Sequence, residues 1–106
     1  MTYSKKIVEQ YGQEYIFRQL AEEAAELCQA SLKMVRRINN ETPVRWQDAQ
    51  NRLLEEIADL EVMLHVTKTA VLNDEANQKI ADIYRKKFDR MVDRMIEGES
   101  LDSDGR

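Results

Sequence analysis

The sequence predicts an all-α protein, an antiparallel helical bundle with two long central helices, a C-terminal helix and a short N-terminal helix. Apolar residues recur at helical spacings of three and four, and no segment alternates apolar and polar residues as a half-buried strand would. The three glycines and single proline leave few interruptions in 106 residues. The length predicts one domain, expected over residues 1–98, followed by a flexible C-terminal tail over residues 99–106.

The first two helices are separated by a glycine. A short helix is expected to stop at Gly12, and a long amphipathic helix to follow it until Asn39-Asn40-Glu41 interrupts the apolar pattern. Its apolar stripe consists of Ile16, Leu20, Ala24, Leu27, Ser31, Met34 and Ile38. The two predicted helices cover residues 4–11 and 13–39.

The last two helices begin at recognisable caps. Thr42-Pro43 is a helix start, with threonine as the cap and proline at the first helical position. Asn73 caps the final helix, which is expected to end before Gly98. The two predicted helices cover residues 43–72 and 74–97.

The third helix is apolar on more than one side. One stripe contains Leu53, Leu60 and Leu64, whereas Val62 and Val66 lie well away from it. A helix that is apolar around much of its circumference is usually covered on several sides. We therefore expect oligomerisation to complete the bundle.

An acidic motif occurs once in each central helix. Residues 20–27 are LAEEAAEL and residues 53–60 are LLEEIADL. Because each helical residue turns by about 100°, the second and third acids of each motif border the apolar stripe, while the first acid points further outward. The bordering residues are Glu23, Glu26, Glu56 and Asp59, and the outward ones are Glu22 and Glu55.

Side-by-side packing of these helices brings the four bordering carboxylates together. Converging carboxylates repel one another and are costly to desolvate unless a cation joins them. Oxygen-only ligands suit hard divalent cations, and Mg²⁺ keeps waters and binds substrate phosphates as well. The sequence therefore predicts a Mg²⁺ site, with Mn²⁺ as a substitute; the alternative is that the glutamates only decorate solvated helix faces.

A basic cluster follows one side of the last helix. Lys87, Arg90 and Arg94 border its apolar stripe, whereas Arg85 and Lys86 point elsewhere. Cations near an acidic metal site complement a polyphosphate. The alternative is that they pair with neighbouring acids on the same helix.

Charge and hydropathy exclude several classes of protein. A formal net charge of −4 disfavours general nucleic-acid binding. No stretch approaches the roughly 20 apolar residues of a membrane span, and we expect no membrane association. Cys28 is the only cysteine, which predicts no internal disulfide and fits a cytoplasmic protein.

The paired acidic motifs resemble those of a known family. Glu22-Glu23-x-x-Glu26 followed by Glu56-x-x-Asp59 is similar to the EExxE…ExxD signature of the MazG-like all-α nucleoside triphosphate pyrophosphohydrolases. The run from residue 87 to residue 90, KFDR, is similar to part of that family's last helix. The gap of 29 residues between the two motifs is at the long end of the family's range.

The resemblance implies a homodimer or homotetramer that cleaves a nucleoside triphosphate, (d)NTP, to (d)NMP and pyrophosphate, with a house-cleaning role in the nucleotide pool. It implies that the four bordering acids bind the metal and that Lys87 and Arg90 contact phosphate. Either Glu22 or Glu55 takes the proton from the attacking water. The competing hypothesis is a non-catalytic acidic helical module for oligomerisation or interaction.

Overall fold

A computed structural model describes residues 3–103. Helices dominate these residues and no strand occurs among them, so the all-α prediction is confirmed. None of the described helices is long and apolar enough to cross a bilayer. The elements are α1 (Tyr3–Tyr11), α2 (Gln13–Ile38), α3 (Trp46–Val66), a π-helical turn (Thr67–Val71) and α4 (Asp74–Ser103).

The predicted breaks around α2 are confirmed, and both use the left-handed backbone region. Gly12 has φ of 87°, and its N–H donates to the carbonyl of Val8 at 2.7 Å. Asn40 has φ of 56°, a conformation that asparagine tolerates better than most residues. Its side-chain oxygen accepts a hydrogen bond from Arg37 at 3.1 Å, which helps to fix the end of the helix.

The start of α3 differs from the prediction. The helix begins at Trp46 rather than Pro43, because the Thr42 hydroxyl accepts a hydrogen bond from the backbone N–H of Val44 at 3.4 Å and forms a local turn. Arg45 then has an extended backbone, with ψ of 147°. The threonine thus caps a turn that precedes the helix.

The end of α3 widens into a π-helical turn. The N–H of Leu72 donates to the Thr67 carbonyl five residues earlier at 3.0 Å, and the Thr67 hydroxyl donates to the Met63 carbonyl at 2.7 Å. Helical structure therefore continues to Val71, close to the predicted end. Contacts join α1, α2, α3 and this turn.

Helix α4 belongs to a second unit, which begins at Asn73. The predicted cap is confirmed, since the Asn73 side-chain oxygen accepts a hydrogen bond from the N–H of Ala76 at 2.8 Å. The helix does not end before Gly98 but extends to Ser103, because one glycine costs a helix only about 1 kcal/mol and glutamates flank it. Residues 104–106 of the expected tail lie outside the described residues, and the expected single domain over residues 1–98 stays a prediction.

Helices α2 and α3 pack antiparallel. Glu23 and Glu26 meet Glu56 and Asp59, whereas the later part of α2 lines a pocket with Arg52, which precedes them on α3. Residue numbers therefore increase in opposite directions along the two packed helices. The antiparallel arrangement of the two central helices agrees with the predicted bundle.

The face that α2 and α3 share differs in part from the predicted one. Ile16 and Ala30 are the buried residues of α2, and Glu23 lies seven residues from each, almost in line with both. On α3 the buried residues include Ala49 and Glu56, again seven apart. Glu23 and Glu56 therefore lie within the packing seam, where the small side chains of the two alanines favour close approach, whereas Asp59 is exposed at its border as predicted.

The packing of α2 against α3 leaves part of the predicted apolar stripes exposed. Ala24, Ser31 and Ile38 of α2 are exposed, as are Ile57 and Leu64 of α3. Other exposed apolar side chains on these helices are Phe17, Leu32, Val35, Leu54 and Val62. An exposed apolar surface of this extent is unusual for a protein that functions as a monomer.

Candidate metal centre

The four acids predicted to bind metal lie together. One carboxylate oxygen from each of Glu23, Glu26, Glu56 and Asp59 lies within 4.8 Å of the others. Residues three apart on a helix project to the same side, so each motif contributes two carboxylates to this point. We call these four residues the acidic cluster.

Two oxygens of the acidic cluster are buried without a partner. Glu56 is only 6% exposed, and neither its Oε2 nor the Oε2 of Glu23 has a hydrogen-bond partner among the described residues. A buried carboxylate oxygen without a donor is costly, because it has lost water and gained nothing in exchange. These oxygens are therefore free to accept a cation.

The other oxygen of Glu56 is paired. Arg52, one turn earlier on α3, donates from Nε to Oε1 of Glu56 at 3.0 Å. This ion pair fixes the carboxylate, so that its unpartnered oxygen is held within the acidic cluster. One arginine cannot balance four carboxylates, and the cluster keeps a negative charge.

The neighbouring carboxylates raise the pKa of Glu26 above its ordinary value. A hydrogen bond with the Glu56 side chain favours the protonated form and raises the pKa of Glu26, and the charges of Glu23 and Glu56 raise it further. The guanidinium of Arg52 acts in the opposite direction. A proton bound to Glu26 would therefore neutralise part of the negative charge that a bound cation would neutralise.

The donor set of the acidic cluster fits a hard divalent cation. It offers only carboxylate oxygens, without nitrogen or sulfur, which is the chemistry that Mg²⁺, Ca²⁺ and Mn²⁺ prefer over softer metals. Asp59 is exposed at the edge of the cluster, so the solvent side is open to water or a further ligand. The cluster can therefore hold a metal ion and still admit a substrate oxygen.

The two outward glutamates are not members of the acidic cluster. Glu22 and Glu55 are both exposed. Oε2 of Glu22 accepts a hydrogen bond from Nε2 of Gln19 at 3.3 Å, which orients this carboxylate on α2. Both residues immediately precede a cluster member in the chain, so they lie near the rim of the site.

The predicted phosphate contacts lie on α4. Lys87, Arg90 and Arg94 line a groove along this one helix, together with Met91 and Met95, and all five side chains are exposed. The three cations therefore lie on the same side of α4. Their role in binding phosphate stays a prediction.

A second set of cations lies beside the acidic cluster and was not predicted. Lys33 and Arg36 of α2 line a pocket of about 260 Å³ with Arg52 of α3. The available signal was the four-residue spacing between Arg52 and Glu56, which places both side chains on one face of α3. For Lys33 and Arg36, only the antiparallel register of the two helices brings them near the cluster.

No family model, curated protein or solved structure matches the chain. The site is therefore defined by its own residues, as a four-carboxylate candidate metal centre between α2 and α3. We call these two helices and their connection the hairpin.

Proposed function

We propose that this chain is a Mg²⁺-dependent nucleoside triphosphate pyrophosphohydrolase of the MazG-like type, which cleaves (d)NTP to (d)NMP and pyrophosphate. The observation that carries the proposal is the acidic cluster with its two buried, unpartnered carboxylate oxygens. The spacing of the two acidic motifs supports the same function, through the resemblance described above. In a cell the reaction would serve nucleotide-pool house-cleaning.

The metal would be held by Glu23, Glu26, Glu56 and Asp59. When bound, Mg²⁺ would neutralise phosphate charge, acidify a coordinated water and stabilise the leaving pyrophosphate. Arg52 positions Glu56 through their ion pair. Glu56, fixed in the seam, would in turn keep the ion at a constant place between the two helices.

A general base would stand at the rim of the site. Glu22 and Glu55 are solvent-accessible carboxylates, each next to a metal-binding residue. Either can accept the proton of the attacking water, and the hydrogen bond from Gln19 gives Glu22 the more fixed orientation. Replacement of each by glutamine separates the two, because only loss of the base lowers turnover at unchanged metal affinity.

The functional form would be a homodimer or homotetramer. Exposed apolar side chains on both central helices, such as Phe17, Leu54 and Val62, support association with a second copy. Lys87, Arg90 and Arg94 on α4 would contact substrate phosphates in this assembly. Nothing in the net charge of −4 favours nucleic acid as the partner.

Release of pyrophosphate from a panel of ribo- and deoxyribonucleoside triphosphates tests the proposal. We expect release with Mg²⁺ or Mn²⁺, none with EDTA, and a loss of more than about a hundredfold in Asp59→Asn, since the site would lose a charged metal ligand. Glu61→Gln, an exposed acid of α3 outside the cluster, is the matched control.

A non-catalytic oligomerisation or interaction module is the second candidate. The exposed apolar surface of α2 and α3 favours it, because such a surface serves association whether or not a reaction follows. Metal-dependent stabilisation and self-association without hydrolysis of any nucleotide in the panel would support this function instead.

A further inference from the structure

The pocket beside the acidic cluster is lined by an unusual set of side chains for an acidic protein. Its lining contains three cations and no carboxylate, in a chain whose formal net charge is −4. The lining residues are Gln29, Ala30, Leu32, Lys33, Arg36 and Arg52. We call it the cationic pocket.

Two of its cations have no partner among the described residues of the hairpin. Neither Lys33 nor Arg36 makes an ion pair or a side-chain hydrogen bond with another residue of the 3–72 unit. By contrast, Arg18 and Arg45 on the same hairpin are paired with Glu14 and Asp48. Cations that line one pocket without a protein partner can bind an anion, because the ligand supplies the opposite charge.

The third cation links the pocket to the acidic cluster. Arg52 lines the pocket and also donates to Glu56 at 3.0 Å. On α2, Ala30 of the pocket follows Glu26 of the cluster by one turn. A ligand can therefore occupy the cationic pocket while its neighbouring atoms reach the acidic cluster.

The size of the pocket limits the ligand. A volume of about 260 Å³ lies just below the roughly 300–1,000 Å³ of sites for drug-sized ligands. It suits a small anion such as one or two phosphate groups. The planar guanidinium groups of Arg36 and Arg52 offer paired donors for phosphate oxygens, and Lys33 adds a point charge.

We infer that the cationic pocket binds the pyrophosphate end of the substrate, so that Lys33, Arg36 and Arg52 hold the phosphates that leave. This inference rests on the proposed function for the identity of the substrate and deepens it by fixing the direction of the polyphosphate. The chain of phosphates runs from the acidic cluster toward the C-terminal end of α2. The bond to be broken then lies at the cluster, and the nucleoside lies on the side away from the pocket.

Calorimetric titration with inorganic pyrophosphate tests the pocket without any reaction. The Lys33→Gln/Arg36→Gln double variant keeps side-chain length and helix propensity and removes two positive charges. We expect it to raise the Kd for pyrophosphate at least about tenfold, with and without Mg²⁺, because charge-assisted hydrogen bonds are lost. The control, Arg18→Gln/Arg45→Gln, removes the same charge from exposed, paired sites and should change the Kd by less than about twofold.

Two further measurements keep this inference separate from the proposed reaction. Circular dichroism should show equal helicity and equal melting in both double variants. If the protein hydrolyses nucleotides, the pocket variant should raise KM and weaken product inhibition by pyrophosphate in parallel. Loss of pyrophosphate binding in the pocket variant without hydrolysis of any nucleotide by the wild type would support the pocket and overturn the reaction.

Equal pyrophosphate binding by the two double variants would overturn the inference, as would a wild-type protein that does not bind pyrophosphate. The inference also fails if hydrolysis is Mg²⁺-dependent but KM is unchanged in Lys33→Gln/Arg36→Gln. In that case the reaction stands and the phosphates bind elsewhere, for example at Lys87 and Arg90.

Discussion

Glu56→Gln should stabilise the metal-free protein and abolish its response to metal. The Glu56 side chain is buried in the seam between α2 and α3, within 4.8 Å of the Glu23 carboxylate. Glutamine keeps the shape of the side chain and removes its charge, and its amide can donate to a neighbouring carboxylate. The substitution therefore removes repulsion in the metal-free state and one ligand in the metal-bound state.

The size of the effect follows from two opposing terms. Two unit charges 4.8 Å apart repel by about 3.5 kcal/mol at an effective dielectric constant of 20. Loss of the ion pair with the half-exposed Arg52 costs about 1 kcal/mol or less. The free energy of unfolding should thus rise by about 2 kcal/mol, which for a domain of this size raises Tm by about 8 °C or more.

Thermal melts with EDTA and with Mg²⁺ measure both halves of this prediction. Wild-type protein should gain about 1.4 kcal/mol when Mg²⁺ is at ten times its Kd, whereas Glu56→Gln should gain none. Glu61→Gln, exposed on the same helix, should behave as the wild type in both conditions. A metal-free Glu56→Gln protein that melts below the wild type, or that keeps the response to Mg²⁺, would refute the reasoning.

Three further predictions concern the proton, the phosphate and the assembly. Because the pKa of Glu26 is raised, its favourable contribution to metal-free stability is present below its ordinary value of 4.5 and is lost as pH rises through the raised pKa. Melts across pH should show this loss in the wild type but not in Glu26→Gln, and Mg²⁺ should suppress it; an identical pH profile for the two proteins would contradict this prediction. Lys87→Ala should raise KM about tenfold without changing the Mg²⁺-induced shift in Tm, whereas Lys86→Ala should have little effect on KM; equal damage by both would invalidate the choice of helix face. Light scattering should give a mass of at least two chains of 12.5 kDa, which Val62→Glu should reduce because Val62 is 60% exposed on the uncovered face of α3; an active wild-type monomer would rule out the assembly.

The helices and the convergence of the acids could be predicted from the sequence, because both depend on local spacing. Residues three apart lie on the same face of a helix, so the spacing of Glu56 and Asp59 predicts that both carboxylates lie on one side of α3. The helix starts are harder to predict, because a threonine hydroxyl can accept a hydrogen bond either at a helix N-terminus or within a turn. In the structure the Thr42 hydroxyl accepts one within a turn. Gly98 was expected to end a helix that in fact continues past it.

The sequence could not show which side of each helix packs. Ile16 of the predicted apolar stripe of α2 is buried, but Ala24 of the same stripe is exposed and Ala30, which lies outside it, is buried. The spacing of residues along a helix gives the angle between a side chain and the apolar stripe of that helix. Which side of the helix is buried depends on where the partner helix packs. The sequence therefore predicts Glu23 and Glu56 at the border of the seam, whereas the structure has them within it. It does not predict the cations of the pocket, because their position depends on the same cross-helix register.

The seven-residue spacing of the seam has a consequence for how the hairpin chooses its alignment. Ala30 lies one heptad from Glu23 on α2 and Ala49 lies one heptad from Glu56 on α3, and the small side chains of alanine offer little shape by which to select one alignment. A slip of α2 by one heptad would set the acids of one helix against alanine and separate the four carboxylates. A bound cation would be lost in every such alignment, so it would select the native one, as a single buried polar residue fixes the register of a coiled coil. The ion would thus be a folding determinant of the hairpin before it takes part in any reaction.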